Sequence, residues 1–248
     1  MNASRSLFAL LVLTSLLPLG FASPAYALNI LFDRSGQSDS SAYGYSILPL
    51  GDQNNDGFRD WAVGAWGNGH QKGYIEFFRG AQSLSSVPHH VFYYDSTRYI
   101  AGVAVGVADF NGDGYRDLVL SSTRLPQGPL VDVSIFWGGP TVSDTPQVLF
   151  TTSYRIVPYP IGDFNSDGHA DLFFYNFDTD ECWVCFGGNP MDTIPDWVLH
   201  HPPPGINQTI PKAVGDFNGD GASDFLCHNP NNGNNVIFLG GTQPDTLP

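Results

Sequence analysis

Beyond residue 27 the chain alternates short apolar runs with compact polar punctuation, and Gly, Asn and Pro recur too often for any long helical pattern to survive. Four runs rich in aromatic and β-branched residues end in glycine: "YIEFFRG", "VSIFWGG", "CWVCFGG" and "NVIFLGG". After the first three come a short turn, a proline and a further apolar run ("PHHVFYY", "PQVLF", "PDWVLH"). Ahead of the polar loops lie other apolar stretches, such as "YGYSILPL" and "IAGVAVGV". Runs of this length and spacing predict short β-strands, about four to a unit, joined by tight turns.

The polar loops themselves repeat. "GDQNNDGFRDWAVGA" begins at Gly51, "ADFNGDGYRDLVLSS" at Ala108, "GDFNSDGHADLFFYN" at Gly162 and "GDFNGDGASDFLCHN" at Gly215. Their first aspartates, Asp52, Asp109, Asp163 and Asp216, are 57, 54 and 53 residues apart, a period that marks one supersecondary unit per repeat. The predicted fold class is therefore all-β: a β-propeller of four-stranded blades, four in number. The last unit stops before its fourth strand, while "LNILFDRSG" at positions 28–36 resembles the missing piece "HHVFYYDST". The expectation is that this N-terminal strand completes the last blade and removes an exposed sheet edge. An open array and a fragment of a longer chain are the alternatives.

Residues 1–27 stand apart. One positive charge at Arg5, an apolar core "LFALLVLTSLLPLGF" and the small-x-small end "AYA" read as a secretory signal peptide cut after Ala27. A membrane anchor is the competing reading, but the run is short of the ~20 apolar residues that a spanning helix needs. Residues 28–248 are then one exported domain, placed outside the cell or in the periplasm, with no membrane insertion. Loss of Arg5 takes the formal net charge from −14 to −15, which argues against nucleic acid as a partner and in favour of cations.

Charge and repeat meet in the loops, where twelve of the 24 acidic residues lie. Each loop reads D-x-N-x-D-G-x-x-D. Alternate positions carry oxygens, and the sixth-position glycine permits a sharp bend, which suits a cation that takes six to eight hard oxygen ligands. The expected calcium ligands are Asp52, Asn54, Asp56 and Asp60; Asp109, Asn111, Asp113 and Asp117; Asp163, Asn165, Asp167 and Asp171; and Asp216, Asn218, Asp220 and Asp224. Backbone carbonyls of Phe58, Tyr115, His169 and Ala222 would complete about four Ca²⁺ sites. A plain hairpin turn is the rival reading, since Asn-Gly and Asp-Gly turn without metal. It has no need, however, of three mutually repelling carboxylates in every copy.

The segment "YGYSILPLGDQNNDGFRDWAVGAW" resembles the FG-GAP repeat of integrin alpha-subunit propellers and related secreted bacterial proteins, with Trp66 where proline commonly follows Gly-Ala. The later units resemble the looser "DFNGDG" version called VCBS or FG-GAP-like. The resemblance implies a propeller with calcium bound between the first and second strands of each blade. A ring of four departs from the larger rings usual in the integrin type.

Elsewhere the chemistry is sparse. There is no G-x-S-x-G, H-E-x-x-H or G-x-x-x-x-G-K pattern. Asp178, Asp180 and Glu181 form an acidic cluster outside the loops, a weak candidate for an acid/base pair. Cys182 and Cys185 have redox spacing but lie three apart in a predicted strand, which sends them to opposite faces. The strand order puts the acidic loops and "GG" turns at one end of the propeller, and Trp66, Arg98, Tyr99 and Arg124 at or near the other. That second end, with aromatic platforms and basic donors, is the expected place for a glycan or extracellular protein ligand. The leading expectation is a non-enzymatic binding or adhesion module with structural calcium. The alternatives are a polysaccharide lyase or hydrolase on the same scaffold, and a self-associating structural repeat.

Overall fold

The computed structural model describes residues 33–36, 42–65, 73–93, 98–124, 130–199, 210–229 and 232–242, and all regular structure within them is β. Four antiparallel sheets follow one another along the chain. The first holds β1 (Tyr43–Gly51), β2 (Asp60–Ala65), β3 (Tyr74–Phe78) and β4 (His90–Tyr93) in sequence order. The second holds β5 (Arg98–Ala108), β6 (Asp117–Arg124), β7 (Leu130–Phe136) and β8 (Val148–Thr152). The third holds β9 (Ile156–Gly162), β10 (Asp171–Asn176), β11 (Glu181–Cys185) and β12 (Trp197–Leu199). In the fourth, β13 (Ile210–Gly215), β14 (Asp224–His228) and β15 (Asn235–Phe238) make three strands among the described residues.

Each sheet is a meander, with strands that follow one another in the chain lying next to one another, and each acidic loop links a first strand to a second. The first strands lie side by side in chain order, β1 on β5, β5 on β9 and β9 on β13. No comparable packing of β13 on β1 is present among the described residues. Residues 28–32, expected to complete the last sheet, lie outside the described residues. Of the same segment, Arg34 sits on the first sheet, where it donates to Glu76 of β3 at 3.0 Å through Nε. Tyr43 donates its hydroxyl to the same buried carboxylate.

The two-residue period of the strands explains the core. In β10 every residue is buried, because alternate side chains serve two different interfaces. Leu172 and Phe174 join Val119, Val133 and Ile135 of the second sheet. Phe173 and Tyr175 join Phe225, Cys227 and Phe238 of the fourth. A third cluster brings Ala62, Ile75 and Phe77 of the first sheet against Leu118, Leu120 and Phe136 of the second. The cysteines obey the same rule. Cys182 enters one cluster and Cys185 the other, and all three cysteines are buried and outside any disulfide.

Candidate functional site

The four acidic loops have one geometry. In the first, the Asp52 carboxylate accepts N–H bonds from Asp56 (3.1 Å) and Gly57 (2.8 Å), the Asn54 side-chain oxygen accepts from Asp56, and the Asp56 carboxylate accepts from Phe58 (2.9 Å). The second loop repeats this with Asp109, Asn111 and Asp113, the third with Asp163, Asn165 and Asp167, and the fourth with Asp216, Asn218 and Asp220. These are short-range side-chain-to-backbone bonds that only Asp, Asn, Ser or Thr can make, so they account for part of the pattern without any metal. The sixth-position glycines all take positive φ, between 87° and 93°, a region that a Cβ disfavours.

The ninth-position aspartates behave differently. Asp60, Asp117, Asp171 and Asp224 are buried. In each, one carboxylate oxygen accepts the N–H of the loop's second residue (Gln53, Phe110, Phe164 or Phe217), at 2.7–2.9 Å. The other accepts the N–H of the first glycine in the following turn (Gly80, Gly138, Gly187 or Gly240), again at 2.7–2.8 Å. The carboxylate therefore pins the start of the loop to the end of the third strand of its own sheet. Burial raises the pKa of both Asp117 and Asp171 to about 7, with backbone N–H bonds opposing the rise and neighbouring loop carboxylates adding to it. At the exposed fifth position the sign reverses. Backbone and Asn side-chain donors hold Asp56 and Asp220 below the usual carboxylate range.

As donors, each loop presents three carboxylates, an amide oxygen and a backbone carbonyl, an all-oxygen set that fits a hard divalent cation. Asp171 Oδ2 takes a second, longer bond from the Asn165 N–H (3.3 Å); every other ninth-position oxygen uses one lone pair on a backbone N–H and retains another. Position three is turned otherwise: the side-chain nitrogens of Asn54, Asn111, Asn165 and Asn218 donate to the fifth-position carboxylates at 2.9–3.0 Å. Among the described residues no three acidic, histidine or cysteine side chains converge at metal-holding distance. The donor types fit; their convergence around an ion requires the side chains to turn.

The second and eighth positions, which have no part in the expected calcium sites, join the sheets. The Asp109 carbonyl accepts the N–H of Ala170 (2.8 Å) and the Phe110 carbonyl accepts that of Gly188 (2.7 Å), both in the next repeat. One junction on, the Asp163 and Phe164 carbonyls accept from Ser223 and Gly241, each at 2.7 Å. Phe110 and Phe164 are fully buried by the sheet that follows. Close approach demands glycine there: a Cβ on Gly187 would collide with the Ala170 carbonyl and lie 2.8 Å from that of Phe110. At the first junction Gln53 substitutes its side chain for this main-chain latch, donating to the Arg116 carbonyl at 3.0 Å and accepting from Gly139. A pocket of about 30 Å³, lined in part by Leu50, Gln53, Phe77 and Val142, lies beside it. The recurrence of "DF" in three of the four motifs was the available signal for this role.

At the other end of the sheets, Trp66 lies outside the described residues. Arg98, Tyr99 and Arg124 are described as strand backbone only; Arg98 pairs with Arg124 across β5 and β6, and Tyr99 with Thr123. The acidic cluster is already engaged. Asp178 holds Arg155 at 2.9 Å, Asp180 accepts the Tyr175 hydroxyl, and Glu181 accepts from Thr179. Each carboxylate of that cluster thus has a side-chain partner of its own. His90 meets Asp144 at 2.9 Å.

Serial antiparallel sheets, latched to one another through a repeated acidic loop, define a β repeat protein. Residues 109–174, which run from the first aspartate of the second loop through the third loop and into β10, match the family model of the FG-GAP-like repeat. The chain thus carries an FG-GAP-like repeat where the sequence resemblance placed one.

Proposed function

We propose that the chain is a secreted, calcium-binding propeller module that holds a glycan or an extracellular protein, with calcium serving structure rather than catalysis. The carrying observation is the fourfold acidic loop. The same three aspartates recur in the same hydrogen-bonded turn, and the backbone donors they share leave three adjacent negative charges in every loop with no lysine or arginine side chain bonded to them among the described residues. In this reading Asp52, Asn54, Asp56, the Phe58 carbonyl and Asp60 hold one ion, and the corresponding residues hold the others. Ca²⁺ supplies the charge that offsets three adjacent carboxylates, and it keeps Asp117 and Asp171 ionised despite burial. The FG-GAP-like match is of a kind associated with binding modules, and the acidic cluster at Asp178–Glu181 is spent on structure.

Melting the EDTA-treated chain with and without added calcium tests the metal. Saturation at a hundred times Kd stabilises by about 2.7 kcal/mol per site, so the melting temperature rises by several degrees or more. An unchanged melting temperature refutes the calcium reading. For the ligand, binding on a glycan and matrix-protein panel without turnover is expected, and replacement of Trp66, Arg98 and Arg124 abolishes it. Release of unsaturated or reducing sugars would instead establish the enzyme.

A further inference from the structure

The fourth sheet carries one half of the inter-sheet junction and the first sheet carries the other half, and neither half is joined among the described residues. In loops two and three the second-position phenylalanines are 0% exposed, whereas Phe217 is 47% exposed. Val214 is 43% exposed where Ile161 is fully buried, and Ile237 is 42% exposed where Ile135 and Val184 are fully buried. The same apolar face that sheets two and three bury against their successor is therefore uncovered on sheet four. Among the described residues the Asp216 and Phe217 carbonyls also have no acceptor role, unlike those of Asp109, Phe110, Asp163 and Phe164.

The first sheet is complementary. Its Arg59 and Ala81 stand where Ala170 and Gly188, or Ser223 and Gly241, donate at internal junctions, and their N–H groups have no partner among the described residues. Gly138, Gly187 and Gly240 each lie close to the second-position residue of the preceding loop, while the atoms nearest to Gly80 belong to Arg59 and Phe58 of its own sheet. Phe58, at the seventh position, is 43% exposed. At internal junctions that position meets the fourth residue of the preceding loop: Tyr115 takes a hydrogen bond from Asn55, and the His169 ring lies over Gly112. The space above Gly219 is open.

We propose that these halves join between two copies of the chain: Phe217 of each enters the first sheet of the other, Phe58 covers Gly219, and two identical junctions close a ring of eight sheets. The occupant follows from continuity, because the chain already builds this contact between its own consecutive sheets. A head-to-tail contact closes into a ring when its rotation allows, and eight sheets is within the four to eight blades typical of propellers. The proposal stands apart from calcium and ligand binding, so either can fail without the other.

Sedimentation equilibrium of the chain lacking residues 1–27 is expected to give twice the monomer mass. Phe217→Ser gives the monomer mass with an unchanged circular dichroism spectrum, since the ring is at the surface. A second measurement uses Phe58→Cys and Gly219→Cys. Position 219 tolerates a side chain, as Asn55 and Ser166 occupy the same turn position with φ of 58° and 63°. Mixing the two single variants under mild oxidation should yield a disulfide-linked pair, and the double variant should run wholly as a covalent dimer. A wild type that is monomeric at every concentration, a cross-link confined within one chain, or a ladder of higher masses overturns the two-copy ring.

Discussion

Phe164→Ala tests whether second-position aromatics hold consecutive sheets together. The ring is fully buried, 5.2 Å from Phe225 and 6.1 Å from Trp197 between ring centres, and its removal empties the middle of the third interface. Truncating a buried phenylalanine costs about 3–5 kcal/mol, of which each lost aromatic pair accounts for about 0.5–1.5. At about 2–4 °C per kcal/mol for a domain of this size, the melting temperature falls by ~6–20 °C. The main-chain bonds of residue 164 to Asp171 and Gly241 survive the change, so the loss reports the ring alone. Phe217→Ala is the control. It removes the same side chain from the same loop position, but from a surface, and should cost no more than about 0.5 kcal/mol. Urea unfolding at low protein concentration, where copies stay apart, measures both. Equal losses would refute the reasoning, since they would mean that Phe217 is covered within its own chain.

Two further outcomes follow from titratable groups. Asp117 and Asp171 have folded pKa values near 7 against 3.8 for the free side chain, so between those pH values the folded chain binds more protons than the unfolded one. Their contribution to stability therefore declines as pH rises from about 4 to about 7, and is constant above. In EDTA, the melting temperature of the Asp117→Asn, Asp171→Asn variant should gain on the wild type across that window; a gap that narrows contradicts the assignment. Burial pushes the Cys182 and Cys185 thiols up to about 12, and Cys227 is buried beside Cys182. Iodoacetamide at mildly alkaline pH should leave the native chain unlabelled and modify all three cysteines in denaturant. Rapid labelling of the native chain would show that the interface around Cys182 opens.

Whatever depends on neighbours along the chain can be read from the amino-acid order alone. Strand alternation, the turn-forming "NDG" and "NGDG" segments and the period of 53–57 residues are local patterns, so four serial β units and their acidic loops are legible without coordinates. The opposed faces of Cys182 and Cys185 follow from the same two-residue period. The division of labour within each loop emerges from packing. Sequence alone makes the first, fifth and ninth aspartates equivalent. Packing separates them, because the ninth lies beneath the loop, where burial and two backbone donors act on it, while the first and fifth remain near solvent. It also gave the second position its role, since a phenylalanine beside an aspartate is informative only once the sheet that receives it is in place. The contrast between buried Phe164 and exposed Phe217 has the same origin: identical local sequence, with a sheet packed over Phe164 and none over Phe217 among the described residues.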